Sequence, residues 1–569
     1  MPIKSIKKGG DIPNNQVGVA TNPRAEYNLD ELSFEGHSRL INSTAYTNKL
    51  NDALNGALIY QTFAIQPFTA ALSDMRQINN DQETDDFVDI KAKDGFIIAG
   101  APFYDEMYSS FSTHVNIGRV YIWKEDGTHW GTIPSPSTAN NTLFGFSVDI
   151  DPGAGKVFVG VLRHGNSGGG QVYVYDWDGT QKFTTSDWGT PTIIQASDRT
   201  NNQADYFGFL IKTINTNTGN KVIITAQRAS PQGYGRVYVY NYDGTGEVSI
   251  VPSDSHYSDL TLYFASDSVE FGCSIDVDGN PTDGYKLAVG CCNWRSDGDN
   301  NRRGAVFIFN LDGTGEQMIL PARLTNNLSI SDAGHNVAID VAAGKVISAA
   351  PNTDNSSYGF GVEKRDHGVI QIMDLDGTNQ VNILAPYVTP SGSPYAWPYE
   401  SRFGLKLGIN RNTRRLYALC RKMGDDGARP SIVIMDYDSS NGGSPGSNTV
   451  TQVLLRPPGN TSSTQPKYAS MDDYPFYKGH VMGTAKSGQG QIINNATNYG
   501  SSSGEDPFYS MVNTTLSSYY GVSGGSKNFH VRDDGAVTMC HGGRVWPDGT
   551  RSSNIDDVGY GALVKGLDS

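Results

Sequence analysis

In the loop after the first strand-like run of four repeats, an Asp or Asn recurs two positions after another: Asp149 and Asp151, Asn215 and Asn217, Asp276 and Asp278, Asn410 and Asn412. Short acidic and amide side chains accept nearby backbone N–H groups, so turn capping is the first reading of all four pairs. Gly165-Asn166-Ser167-Gly168-Gly169 matches the G-x-S-x-G pattern of an activated serine. That pattern has chemical meaning only at a strand-to-helix turn, whereas here it lies between two strand-like runs. The ten histidines are scattered, with no H-E-x-x-H and no pair at metal-ligand spacing. His335 and His480 therefore read as hydrogen-bonded polar residues near strand ends. No two carboxylates stand out from the turn background as an acid/base pair. Cys291 and Cys292 stand where a strand should end and read as small buried hydrophobes. Nothing groups a nucleophile, a base and an orienting partner, so the expectation is no enzymatic centre and no cofactor.

The elements that must carry these residues are short strands. Between Leu143 and Thr180 three apolar runs, Phe144 to Ile150, Val157 to Leu162 and Val172 to Trp177, are separated by turn-forming residues, and Asp178-Gly179-Thr180 closes the unit. A fourth run should follow, giving a four-stranded antiparallel meander. The opening recurs as Phe207-Gly208, Phe271-Gly272 and Phe403-Gly404, with a degenerate copy at Asn336-Val337. The steps between openings run from 63 to 67 residues. The Asp-Gly-Thr turn recurs at Asp126, Asp243, Asp312 and Asp376. A sustained period of this size with several strands per unit predicts the blades of a single-ring β-propeller. Phe87 to Phe529 spans seven such steps, which favours eight blades, with seven as the rival if the weak copy near residue 468 is an insertion. The last blade stops at Ser569 where a fourth strand should begin. Thr62 to Pro67 has the form of that strand and is expected to close the ring.

The motif resembles the FG-GAP repeat of integrin α-chain propellers. The resemblance rests on the Phe-Gly openings, on Gly100-Ala101-Pro102 and Ala349-Ala350-Pro351, and on the Gly-plus-aromatic strands at Gly118-Arg119-Val120-Tyr121, Gly235-Arg236-Val237-Tyr238 and Gly304-Ala305-Val306-Phe307. It covers most of the chain from about residue 60 onward. Repeats of that family hold Ca²⁺ in the first inter-strand loop, which implies one candidate cation site here: Asp276, Asp278, Asn280 and Asp283. The loop departs from the family's pattern at Gly284, where a carboxylate is expected, and Lys286 is close by.

Composition bounds the rest. The 569 residues carry a net charge of −15, which argues against nucleic acid and anionic membrane as partners. No apolar run reaches the ~18 residues a spanning helix needs. Five cysteines without a framework spacing, and a lysine-bearing N-terminus with no apolar stretch behind it, suggest synthesis in a reducing cytoplasm. Residues 1–59 make no blade and are expected to be an arm that docks on other protein subunits, with the propeller spanning 60–569. These features point to a non-enzymatic structural or binding subunit of a larger assembly: a phage virion component such as a tail, neck or fibre-like appendage, assembled in the host cytoplasm. The alternative is a Ca²⁺-dependent surface adhesion or glycan-binding propeller that engages a host-surface protein or glycan. A propeller glycosidase or lyase is the second alternative.

Overall fold

The computed structural model describes residues 62–64, 88–453 with breaks at several inter-strand loops, 529–544 and 557–564. The weak copy near residue 468, the arm 1–59 and Gly165 to Gly168 lie outside the described residues. Among the described residues there is no helix, and the strands form seven four-stranded antiparallel sheets and one two-stranded ribbon. Sheet 1 runs Asp89–Lys93, Phe96–Ala101, Arg119–Lys124 and His129–Pro134 in chain order. Sheets 2 to 6 repeat that meander, opening at Phe144–Asp151, Phe207–Ile214, Phe271–Asn280, Asn336–Asp340 and Lys406–Asn410. Sheet 7 takes Phe529–Val531, Val537–Arg544 and Asp557–Val564 from the end of the chain, and its fourth strand, Thr62–Ala64, from the beginning. Thr62 pairs with Val564, Phe63 with Leu563 and Ala64 with Ala562. The expected strand from the N-terminal side is in place.

The near-continuous apolar character of the second and third strands has a simple cause: each sheet is covered on both faces. In sheet 2, Val157, Val159 and Val161 pack with Ile98, Val120 and Ile122 of sheet 1. The side chains pointing the other way, Phe158, Val172 and Val174, pack with Phe207, Ile211 and Val222 of sheet 3. Each opening strand lies beside the opening strand of the next sheet, from sheet 1 through to sheet 7, and that of sheet 7 also lies beside that of sheet 1. Sheets 6 and 7 touch directly: the Asn412 amide donates to the Asp533 carbonyl at 2.7 Å, and Gly408 faces Val531. No sheet of the described residues stands between them. The described residues form seven four-stranded sheets, and the copy near residue 468 that would make an eighth lies outside them.

The repeat's glycines mark places where one sheet's backbone meets the next. A Cβ on Gly100 would lie 1.9 Å from the Gly145 carbonyl oxygen, and one on Gly118 would lie 2.0 Å from that of Phe144. The same rule relocates one opening. Gly334, at φ 81°, receives Gly290 as Gly145 receives Gly100, and Gly304 abuts Ala333 as Gly118 abuts Phe144. The opening of sheet 5 is thus Ala333-Gly334, not Asn336-Val337. Alanine has replaced the phenylalanine, which hides the motif.

Candidate functional site

At the hairpin end of the opening strands a cavity of about 610 Å³ forms where six of the seven sheets converge. Its walls hold Lys91 and Lys93 from sheet 1, Asp149 from sheet 2, Lys212 and Thr213 from sheet 3, Asp276 from sheet 4, Arg411 from sheet 6, and His530 with Arg532 to Asp534 from sheet 7. These side chains reach a common space because each opening strand ends there, at the same step of the repeat.

Two sets of contacts position them. In the first, a strand's buried carboxylate accepts a backbone N–H from the adjacent sheet. Asp89 takes Val148 N–H at 2.9 Å, Asp149 takes Thr213 N–H at 2.8 Å, and Asp276 takes Ile339 N–H at 2.9 Å. Asp278 takes Val341 N–H at 2.7 Å. A second pattern repeats in sheets 2 and 5. Asp151 caps Ala154 N–H and accepts the Tyr242 hydroxyl at 2.7 Å, while Asp340 caps Ala343 N–H and accepts the Tyr437 hydroxyl.

The second set is ionic and crosses the cavity wall. Arg411 Nη2 donates to Asp276 at 2.8 Å, its Nε to the Ile339 carbonyl at 3.1 Å, and its Nη1 to Asp533 at 3.2 Å. One guanidinium on sheet 6 thereby touches sheets 4, 5 and 7. Lys212 of sheet 3 pairs with Asp276, Arg532 of sheet 7 pairs with Glu125 of sheet 1, and Lys93 lies 3.8 Å from Asp151 of sheet 2.

The charge states follow from these surroundings. Burial pushes the Asp276 carboxyl up, but Lys212, Arg411 and the Ile339 N–H outweigh it and hold the group below the usual carboxylate value. Asp149 has the opposite outcome: burial raises it more than Lys93, Lys91 and its hydrogen bonds lower it. Burial, then Lys91, Lys212, Arg532 and Lys93, push His530 well below the usual histidine value, so its ring is neutral. His530 Nδ1 accepts Ala92 N–H at 3.5 Å, which leaves the ring proton on Nε2.

The residues singled out in the sequence are distributed differently from expectation. Asp276 and Asp278 share one strand face, and their oxygens are engaged by Lys212, Arg411 and two backbone N–H groups. Asn280 and Asp283 lie at the following turn, where Asn280 Oδ1 caps Thr282 and Asp283 N–H and its amide donates to Asp283 at 2.8 Å. Among the described residues no group of three or more His, Cys, Asp or Glu is placed to hold a metal. His335 is buried, its ring nitrogen meets Asn336 at 3.0 Å, and burial with Lys406 and Arg402 pushes it down to about 3. Cys291 and Cys292 are buried, and the latter's thiol donates to Glu270 at 3.2 Å. Sequence reading missed Lys91, Lys93, Lys212, Arg411 and His530. Their shared position at the end of an opening strand was the available signal.

No family model and no curated protein matches the chain, so the FG-GAP resemblance rests on the residues quoted for it. Among solved structures, the crystal structure of polysaccharide lyase Uly1 matches with a TM-score of 0.40 and 10% identity, over 84% of this chain and 90% of that chain. At that distance the likeness assigns no reaction and no residue to this chain. The matched protein is an enzyme. The expectation of no enzymatic centre is withdrawn: it weighed only catalytic groups close together in sequence, whereas this cavity gathers polar groups from six sheets.

Proposed function

We propose that the chain is a saccharide-binding β-propeller, its seven sheets closing as blades around the cavity, with that cavity as the ligand site. The observation that carries this reading is the character of the wall. Six carboxylates (Asp94, Glu125, Asp149, Asp276, Asp533, Asp534) share it with five cations (Lys91, Lys93, Lys212, Arg411, Arg532), and among the described lining residues there is no Phe, Tyr or Trp. An apolar ligand would find little to bury against, and a nucleic acid would meet a balanced wall on a chain of net charge −15. A sugar hydroxyl both donates and accepts, so it can bridge a carboxylate and an ammonium that already face each other. The half-exposed Asp533 and Asp534 leave acceptor oxygens at the rim.

The ring closure assumed here is supported by the contacts between sheets 7 and 1 and by the Arg532–Glu125 pair that spans them. The test is a panel of neutral and acidic oligosaccharides titrated calorimetrically against the full chain, with each mixture also assayed for cleavage. Binding that Lys212→Met weakens about tenfold or more supports the site, that factor corresponding to ~1.4 kcal/mol. Binding to none of the panel overturns the reading.

A further inference from the structure

Most donors of the cavity wall are engaged within the protein: Lys212 by Asp276, Arg411 by three partners, and Arg532 by Glu125 and Asp534. One corner differs. Lys91 is only 7% exposed, yet its ammonium stands 3.3 Å from Asp89 Oδ1 without hydrogen-bonding geometry, and that oxygen has no hydrogen-bond partner. Lys93 donates to Thr213 Oγ1 at 3.2 Å, and an ammonium has three N–H groups to place. His530, from the adjacent sheet, lines the same cavity, with Nδ1 accepting Ala92 N–H and Nε2 left as the protonated nitrogen. The carboxylates nearby are already engaged: Asp89 Oδ2 by Val148 N–H, Asp149 by Ile150 and Thr213, Asp151 by Ala154 and Tyr242. Asp89 offsets the charge of Lys91, and the N–H groups that the two lysines do not spend within the chain are open to an acceptor in the cavity.

We propose that Lys91, Lys93 and His530 form an anion subsite that takes a carboxylate or sulfate of an acidic saccharide. The inference rests on the saccharide reading of the cavity and sharpens it to a substrate class. Burial first, and then Lys91, Lys212, Arg532 and Lys93, suppress the basicity of His530. A neutral imidazole there contributes a hydrogen-bond donor and no charge. The two lysines supply the attraction.

The experiment compares oligogalacturonate, the same oligomer with its carboxylates reduced to alcohols, and a sulfated neutral oligosaccharide, by calorimetry on the full chain. The wild type is expected to bind at least one charged oligomer about tenfold tighter than the reduced one, with the advantage shrinking as salt screens it. Lys93, itself partly exposed, is the variant of choice. Lys93→Gln should bring charged and reduced oligomers to within about twofold, Lys93→Arg should keep most of the difference, and Lys345→Gln, on the Asp374 pair of sheet 5, should change nothing. Equal wild-type affinity for charged and reduced oligomers overturns the anion subsite while leaving saccharide binding intact. A charged-ligand advantage that survives Lys93→Gln or ignores salt overturns it as well. Binding to none of the three overturns both readings. The salt dependence is read on the unmodified protein, so it stands even if Lys93→Gln folds poorly.

Discussion

Asp149 and Asp276 occupy the same place in two repeats and accept the same kind of N–H from the adjacent sheet, yet their carboxyls shift in opposite directions. What separates them is the cations within reach: Lys212 and Arg411 touch Asp276, while the lysines near Asp149 act from farther off. The sign of each pH effect follows. The folded state holds Asp276 below its unfolded value of 3.8, so its contribution is present above that value and is lost as pH falls through the lower folded one. Asp149 is raised on folding, so its charged form is a burden at neutral pH that is relieved on acidification. Urea unfolding midpoints measured from neutral pH downward should therefore fall less steeply in acid for Asp276→Asn than for the wild type. An unchanged acid limb would refute the assignment. Arg411→Leu should destabilise the protein by roughly 2–4 kcal/mol, because Asp276 loses a charge partner while remaining buried. Arg411→Lys should recover only part of this, since an ammonium cannot reach Asp276, the Ile339 carbonyl and Asp533 together. Both are read from the same unfolding curves.

At the scale of the strands, much of the architecture was legible. Alternating apolar runs bounded by Gly, Asp and Pro marked the meanders, and the placement of Thr62–Ala64 followed from a last unit one strand short. The physical meaning of the motif was not. Gly-Ala-Pro and the Gly-plus-aromatic strand look like local signatures, but their glycines are fixed by another sheet's backbone: Gly100 by Gly145, Gly118 by Phe144, Gly170 by Phe207. The paired carboxylates have the same long-range character. Asp276 and Asp278 accept N–H groups of Ile339 and Val341, which lie 63 residues on, one repeat away. Spacing within a loop carries no record of such a contact. The glycine argument is testable with two matched substitutions. Gly95→Ala meets nothing within 4 Å and should cost only the strain of a positive φ, about 1 kcal/mol. Gly100→Ala places a methyl against the Gly145 carbonyl and should cost roughly 3 kcal/mol or more, by forcing two sheets apart. Similar denaturation midpoints for the two variants would show that the sheets can separate at little cost.

For the whole molecule, the decisive seam is the one between sheets 7 and 1, where the two ends of the chain meet. Three kinds of contact cross it or complete it: the adjacent opening strands, the Arg532–Glu125 pair, and the Thr62–Ala64 strand that lends sheet 7 its outer edge. The strand itself pairs only three residues, so its ladder bonds contribute modestly. Its larger effect comes from connectivity. With it in place, the chain that enters sheet 1 at Asp89 is already paired into sheet 7, so the seam forms within a closed loop at lower entropic cost. Without it, Asp557–Val564 becomes an unpaired edge and the seam rests on side chains alone. A chain beginning at residue 69 should therefore melt well below one beginning at residue 59, by several kcal/mol of unfolding free energy. Hydrogen exchange separates the two contributions. If only the ladder mattered, protection would be lost in Asp557–Val564 alone. If the strand holds the seam shut, amides of Asp89–Lys93 and Phe529–Val531 should lose protection together with it, because each forms one side of the seam. Equal melting of the two truncated chains would refute the closing role outright. Loss confined to Asp557–Val564 would reduce it to edge protection, leaving Arg532–Glu125 and the packed opening strands to hold sheets 7 and 1 together.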